Sequence, residues 1–125
     1  MLEGMGEAEY AVRPFVRSWC IFEMTHTARA RLRMQVAVFC VDLDYHRALI
    51  HAIAGLSVQR AQALKGADKE RIDELVLGRY RSWEAADQHL RLLALDAFAA
   101  WYLDPQVGDA GARIARLYQD KALAL

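Results

Sequence analysis

The sequence predicts a helix-rich α/β fold of about two short parallel strands and about five helices, and three observations carry that reading. Met34 to Val41 (MQVAVFCV) is an unbroken β-branched and aromatic run of one strand's length, apolar on both faces. An interior strand of a covered sheet has that signature. Elsewhere apolar residues recur at three- and four-residue steps between Gly, Pro, Asp and Ser breaks, which is helical spacing. Finally, 125 residues at 55% hydrophobic are enough to bury the core of one domain, here residues 13–125 behind a short flexible segment 1–12.

Each element follows from its residues. Pro14 stops any earlier helix, and Val16 to Leu32 reads as helical through Trp19, Cys20, Glu23, Met24 and Thr27. Arg29, Arg31 and Arg33 crowd its far end, where cations suit the helix dipole. After the Met34–Val41 strand, Asp42 or Asp44 caps a helix with the stripe Tyr45, Leu49, Ala52, Ile53 and Leu56, ending near Gly55. Leu56 to Ala61 fits either a second short strand or a turn into further helix. Asp68 then caps Lys69 to Leu77, with Ile72, Leu75 and Val76 inward and Gly78 closing it. Ser82 opens the longest helix, which runs to about Leu103 before Asp104-Pro105 stops it. A last helix begins near Asp109 and carries Ile114, Leu117 and Tyr118.

Composition excludes several classes. Sixteen Lys and Arg balance sixteen Asp and Glu, which argues against a general polyanion binder and so against nucleic acid. The apolar fraction excludes a disordered tail. The longest apolar stretch, Leu92 to Leu103, falls short of the roughly 20 residues a membrane span needs and carries Asp96. Met1 to Glu9 lacks the basic and apolar regions of a signal peptide. Cys20 and Cys40 suggest reduced thiols rather than a disulfide framework. The expectation is an intracellular chain, cytoplasmic or organellar.

A strand apolar on both faces needs neighbours, because a buried unpaired backbone group costs on the order of 1–3 kcal/mol. The chain offers at most one other strand. It therefore reads as part of a larger sheet, or as a piece completed by a partner.

Arg17-Ser18-Trp19-Cys20-Ile21-Phe22-Glu23-Met24 resembles the S-x-W-C-x-x-E-L segment of Toll/interleukin-1 receptor (TIR) domains. Ser57-Val58-Gln59-Arg60-Ala61 followed by Asp68-Lys69-Glu70-Arg71-Ile72 is similar to the strand and acidic-start helix of TIR-like domains in large protist proteins. The resemblance covers roughly Pro14 to Leu103 and is sharp only over Arg17 to Met24. It implies the C-terminal half of a flavodoxin-like parallel sheet and a role in signalling interactions. The early strands of that fold have no counterpart before Tyr10. In catalytic members the glutamate matching Glu23 acts on the ribose beside a scissile glycosidic bond, so the resemblance implies NAD as the cofactor or substrate of an active protein. A carboxylate suits that oxocarbenium-like transition state. The chain has no Gly-rich phosphate loop to accompany it.

Other candidate residues are read from their chemistry. No His is placed by sequence to serve Cys20 as a base. His46 and His51, with Asp42 and Asp44, lack a known metal-ligand spacing and read as a polar helix face, so no metal is expected. His26 and His89 stand alone. Arg29, Arg31 and Arg33 form a candidate anion site, with no interleaved aromatics for base stacking. The Ser82 helix has an apolar face too wide for one neighbour, and the final helix can cover part of it. Trp83, Leu90, Phe98, Trp101 and Tyr102 are accordingly candidate interaction residues, together with Val36 and Val38 on the strand.

The expected function is a non-catalytic interaction module that completes its sheet or helical layer against a protein partner or a second copy, with no cofactor. The alternatives are a TIR-type NAD glycohydrolase using Glu23 and a small accessory subunit of a large organellar or membrane assembly.

Overall fold

In the computed structural model, residues 42–61, 66–105 and 107–125, together with Cys20, are described below. They form four helices: α1 (Leu43–Ala54), α2 (Gly66–Tyr80), α3 (Trp83–Tyr102) and α4 (Asp109–Ala124). The expected α/β class is overturned. Among the described residues there is no strand and no sheet. The Met34–Val41 run lies outside the described residues.

Of the two readings open for Leu56–Ala61, a second short strand or a turn, the structure has the turn. The amide of Ala61 donates to the carbonyls of Ser57 and Val58 at 3.1 and 3.2 Å. Leu56, Val58 and Ala61 are buried, a spacing that rolls around a turn rather than alternating along a strand. What a sheet neighbour would have supplied comes from charged side chains. Asp87 accepts from the Val58 amide at 2.8 Å, and Lys69 donates to the Val58 carbonyl at 2.7 Å. Arg91 donates to the Leu56 carbonyl through Nε at 2.9 Å and Nη2 at 2.6 Å. Three of this turn's backbone groups are thus satisfied by hydrogen bonds to ionised groups, each contributing about 1.5–3 kcal/mol.

The helices follow local signals. Asp42 caps α1, its carboxylate accepting from the Asp44 amide at 2.9 Å. Ser82 caps α3, its hydroxyl accepting from the Ala85 amide at 3.1 Å. Gly78 does not close α2, which continues to Tyr80 and is followed by Arg81 in the left-handed conformation (φ 67°). Leu75, expected inward on α2, is exposed, while Ile72 and Val76 are buried.

Helices α1, α3 and α4 enclose the core, and α2 packs against α3. The buried sets of α1 (His46, Leu49, Ile50, Ile53) and α4 (Gly111, Ile114, Ala115, Tyr118) each step by three, four and seven and so form one narrow stripe. Helix α3 buries Ala86, Leu90, Ala94, Leu95, Phe98, Ala99 and Tyr102, a broader set because it touches all three other helices. Full burial contributes about 1.5–3 kcal/mol for each large aliphatic side chain such as Leu49, Ile53, Leu90 or Ile114. At the α3–α4 elbow, a Cβ on Gly111 would sit 2.5 Å from the Tyr102 carbonyl oxygen and from Val107 Cγ1. Only glycine permits that approach.

Candidate functional site

Apart from the tyrosines, His46 is the one buried ionisable side chain among the described core residues, with no exposed surface. It lies on the inward stripe of α1 rather than on the polar face that its sequence neighbours suggest. Its Nδ1 is 2.6 Å from the Tyr118 hydroxyl, one donating and the other accepting according to the ring tautomer. Tyr102 meets the imidazole edge-on at 4.7 Å between centroids, and Tyr45 does so at 5.1 Å. Tyr118 in turn stacks on Phe98 at 5.0 Å with planes 5° apart. An aromatic cluster contributed by α1, α3 and α4 thus surrounds the His46–Tyr118 contact. The Tyr118 hydroxyl lets the chain place a histidine inside an apolar core, because a buried polar group without a partner is destabilising.

Large apolar side chains remain uncovered around this cluster. Leu43 lies one turn before His46 and is 39% exposed; Trp101 and Leu103 flank the buried Tyr102 and are 38% and 51% exposed. All three belong to the end of the helical body where α1 starts and α3 stops. Exposed aromatic and aliphatic groups gathered at one end are a feature of association surfaces.

The residues expected to form an interaction face divide accordingly. Leu90, Phe98 and Tyr102 are buried in the chain's own core, Trp83 is half-buried, and Trp101 is exposed. The broad apolar face of α3 is consumed largely by α4, with α2 and α1 covering the rest. Glu23, Arg29, Arg31, Arg33, Val36 and Val38 lie outside the described residues. The described residues contain no parallel sheet of the kind that the TIR resemblance implies around Glu23, and no group of three or more His, Cys, Asp or Glu placed to hold a metal. None of the described helices is long and apolar enough to cross a membrane.

A second surface feature has a different chemistry. The Leu56–Ala61 turn, the end of α2 and the first turn of α3 border an open cleft of about 830 Å³. Arg60, Arg81, Trp83, Glu84, Asp87 and Arg91 line it with the polar groups of Ser57, Gln59 and Ser82. The sequence does not single out the cleft, and it reads His46 as part of a polar helix face, whereas the side chain is buried. Arg60, Arg81 and Arg91 are distant in the chain, and only the path through α2 brings them together.

The chain matches no family model, no curated protein and no solved structure.

Proposed function

We propose that this protein is a non-catalytic interaction module that pairs with a second copy of itself through the end of its helical body. The observation that supports the reading is the exposure of Leu43, Trp101 and Leu103 around the buried His46–Tyr102 contact. Burying a tryptophan and two leucines offers a typical energetic anchor for a protein interface. A second copy is favoured as the occupant by charge. With sixteen cations and sixteen anions the chain carries no net charge, so copies meet without long-range repulsion.

Light scattering on the full chain tests this directly. The expected mass is twice the 14.2 kDa of one chain, and Trp101→Glu is expected to weaken self-association at least tenfold while leaving the helical content unchanged. A single-chain mass at 0.5 mM protein overturns the proposal. So does a dimer that Trp101→Glu and Leu103→Glu leave intact, or a pull-down in which a different protein occupies this end of the body.

A further inference from the structure

The cleft between the Leu56–Ala61 turn and the first turn of α3 has the features of a binding site for a small organic phosphate. Its volume of about 830 Å³ lies within the range of small-molecule sites. The cationic groups in its wall are in two different states. Arg91 is committed: its guanidinium donates to the Leu56 carbonyl and lies 4.0 Å from Asp87, whose own carboxylate holds the Val58 amide. Arg91 and Asp87 therefore form a fixed, mutually neutralising floor. Arg60 and Arg81 are exposed and make no ion pair among the described residues.

Two unneutralised guanidiniums on one concave surface select the charge and shape of a ligand. Each offers a planar fork of N–H donors that matches phosphate oxygens in bidentate fashion. A phosphate monoester carries close to two negative charges at neutral pH, matching the two free arginines. Glu84, also in the lining, opposes any anionic charge in excess of what the two arginines balance. This disfavours an extended polyanion and agrees with the neutral composition of the whole chain. The half-buried Trp83 ring provides a flat apolar surface beside the arginines, suited to an aromatic group attached to the phosphate.

Arg81 supplies a further argument. It is the one described non-glycine residue with a positive φ, at 67°. Such conformations are unfavourable for a residue with a Cβ and cluster at ligand clamps. A glycine would close α2 with less strain, yet an arginine occupies the position and lines the cleft.

We infer that this cleft binds a small aromatic phosphate monoester, with Arg60 and Arg81 holding the phosphate and Trp83 contacting the ring. The inference is independent of self-association at the opposite end of α3.

Phenyl phosphate, phenol and inorganic phosphate are the probes, titrated into the isotopically labelled full chain and followed by amide and indole resonances. Phenyl phosphate is expected to shift Trp83, Glu84 and the amides of residues 57–60, and to bind at least tenfold more weakly to Arg60→Ala/Arg81→Ala. Phenol is expected to bind at least tenfold more weakly than phenyl phosphate, and so is inorganic phosphate, which lacks the ring. Arg81→Gly separates binding from structure, because removing the strained side chain is expected to raise Tm while weakening phenyl phosphate binding several-fold. The inference is overturned if 10 mM phenyl phosphate shifts none of these resonances. It is equally overturned if the double variant binds as wild type does, if inorganic phosphate or phenol binds as well as phenyl phosphate, or if Arg81→Gly raises Tm without loss of binding.

Discussion

His46 and Tyr118 stand 72 positions apart in sequence, yet their Nδ1 and Oη atoms are 2.6 Å apart in a core that exposes neither side chain. This contact ties the first described helix to the last. Replacement of either partner alone removes this contact from the other's buried polar atom. Tyr118→Phe keeps the stacking on Phe98 and removes only the hydroxyl, and is expected to lower stability by about 1–3 kcal/mol. His46→Leu combined with Tyr118→Phe should cost less than the sum of the two single changes, since the double variant leaves neither group unmatched. Urea unfolding of the four proteins in a double-mutant cycle measures the difference.

The helical glycines Gly78 and Gly111 should respond in opposite directions to alanine. Nothing lies within 4 Å of a Cβ built on Gly78, so Gly78→Ala adds helix propensity inside α2 and should stabilise by about 0.5–1 kcal/mol. A Cβ on Gly111 meets the Tyr102 carbonyl oxygen at 2.5 Å, and a backbone atom cannot swing aside. Gly111→Ala should therefore destabilise by about 2 kcal/mol, forcing α3 and α4 apart. Thermal unfolding of both variants checks the contrast.

Asp87 should govern the Leu56–Ala61 turn. Its carboxylate accepts from the buried Val58 amide, and Asp87→Ala leaves that donor without this acceptor. The expected cost is about 1–3 kcal/mol. Hydrogen exchange at the Val58 amide should accelerate at least tenfold. Asp87→Asn retains an acceptor oxygen and should recover most of the protection.

Ser82 is expected to act on α3 alone. Ser82→Ala removes the hydroxyl that accepts from the Ala85 amide and should cost about 1 kcal/mol. Ser82→Asp restores a cap and adds a charge favourable to the helix N-terminus, so it should match or exceed wild type. Guanidinium midpoints for the three proteins provide the comparison.

The helices were legible where their signals are local. Asp42 and Ser82 each sit one residue before a helix and cap it with their own side chains, and Asp104-Pro105 follows the end of α3. Gly78 misled because glycine closes a helix only when the chain needs a left-handed residue there. Here Arg81 takes that conformation three residues later. The sequence leaves Leu56–Ala61 open between strand and turn. A six-residue segment has too few periods to separate strand from turn, and the deciding partners, Lys69, Asp87 and Arg91, lie 11 to 35 positions away. The candidate sites were hidden for the same reason. Periodicity assigns a residue to a face, and it does not say which helix covers that face.

The sequence by itself determined the extents of α1 and α3 to within a residue or two, the caps that start them, and the apolar stripes that make them pack. It also determined a chain without net charge. Tertiary structure alone decided that the broad face of α3 is mostly interior, that His46 is a core residue, and that Trp101 stays at the surface while its neighbour Tyr102 does not. It also assembled three arginines from three segments around one cleft. The physical reason is range. Caps and helical spacing act within one or two turns, whereas burial and the pairing of buried polar groups depend on surfaces that meet only after the chain has folded.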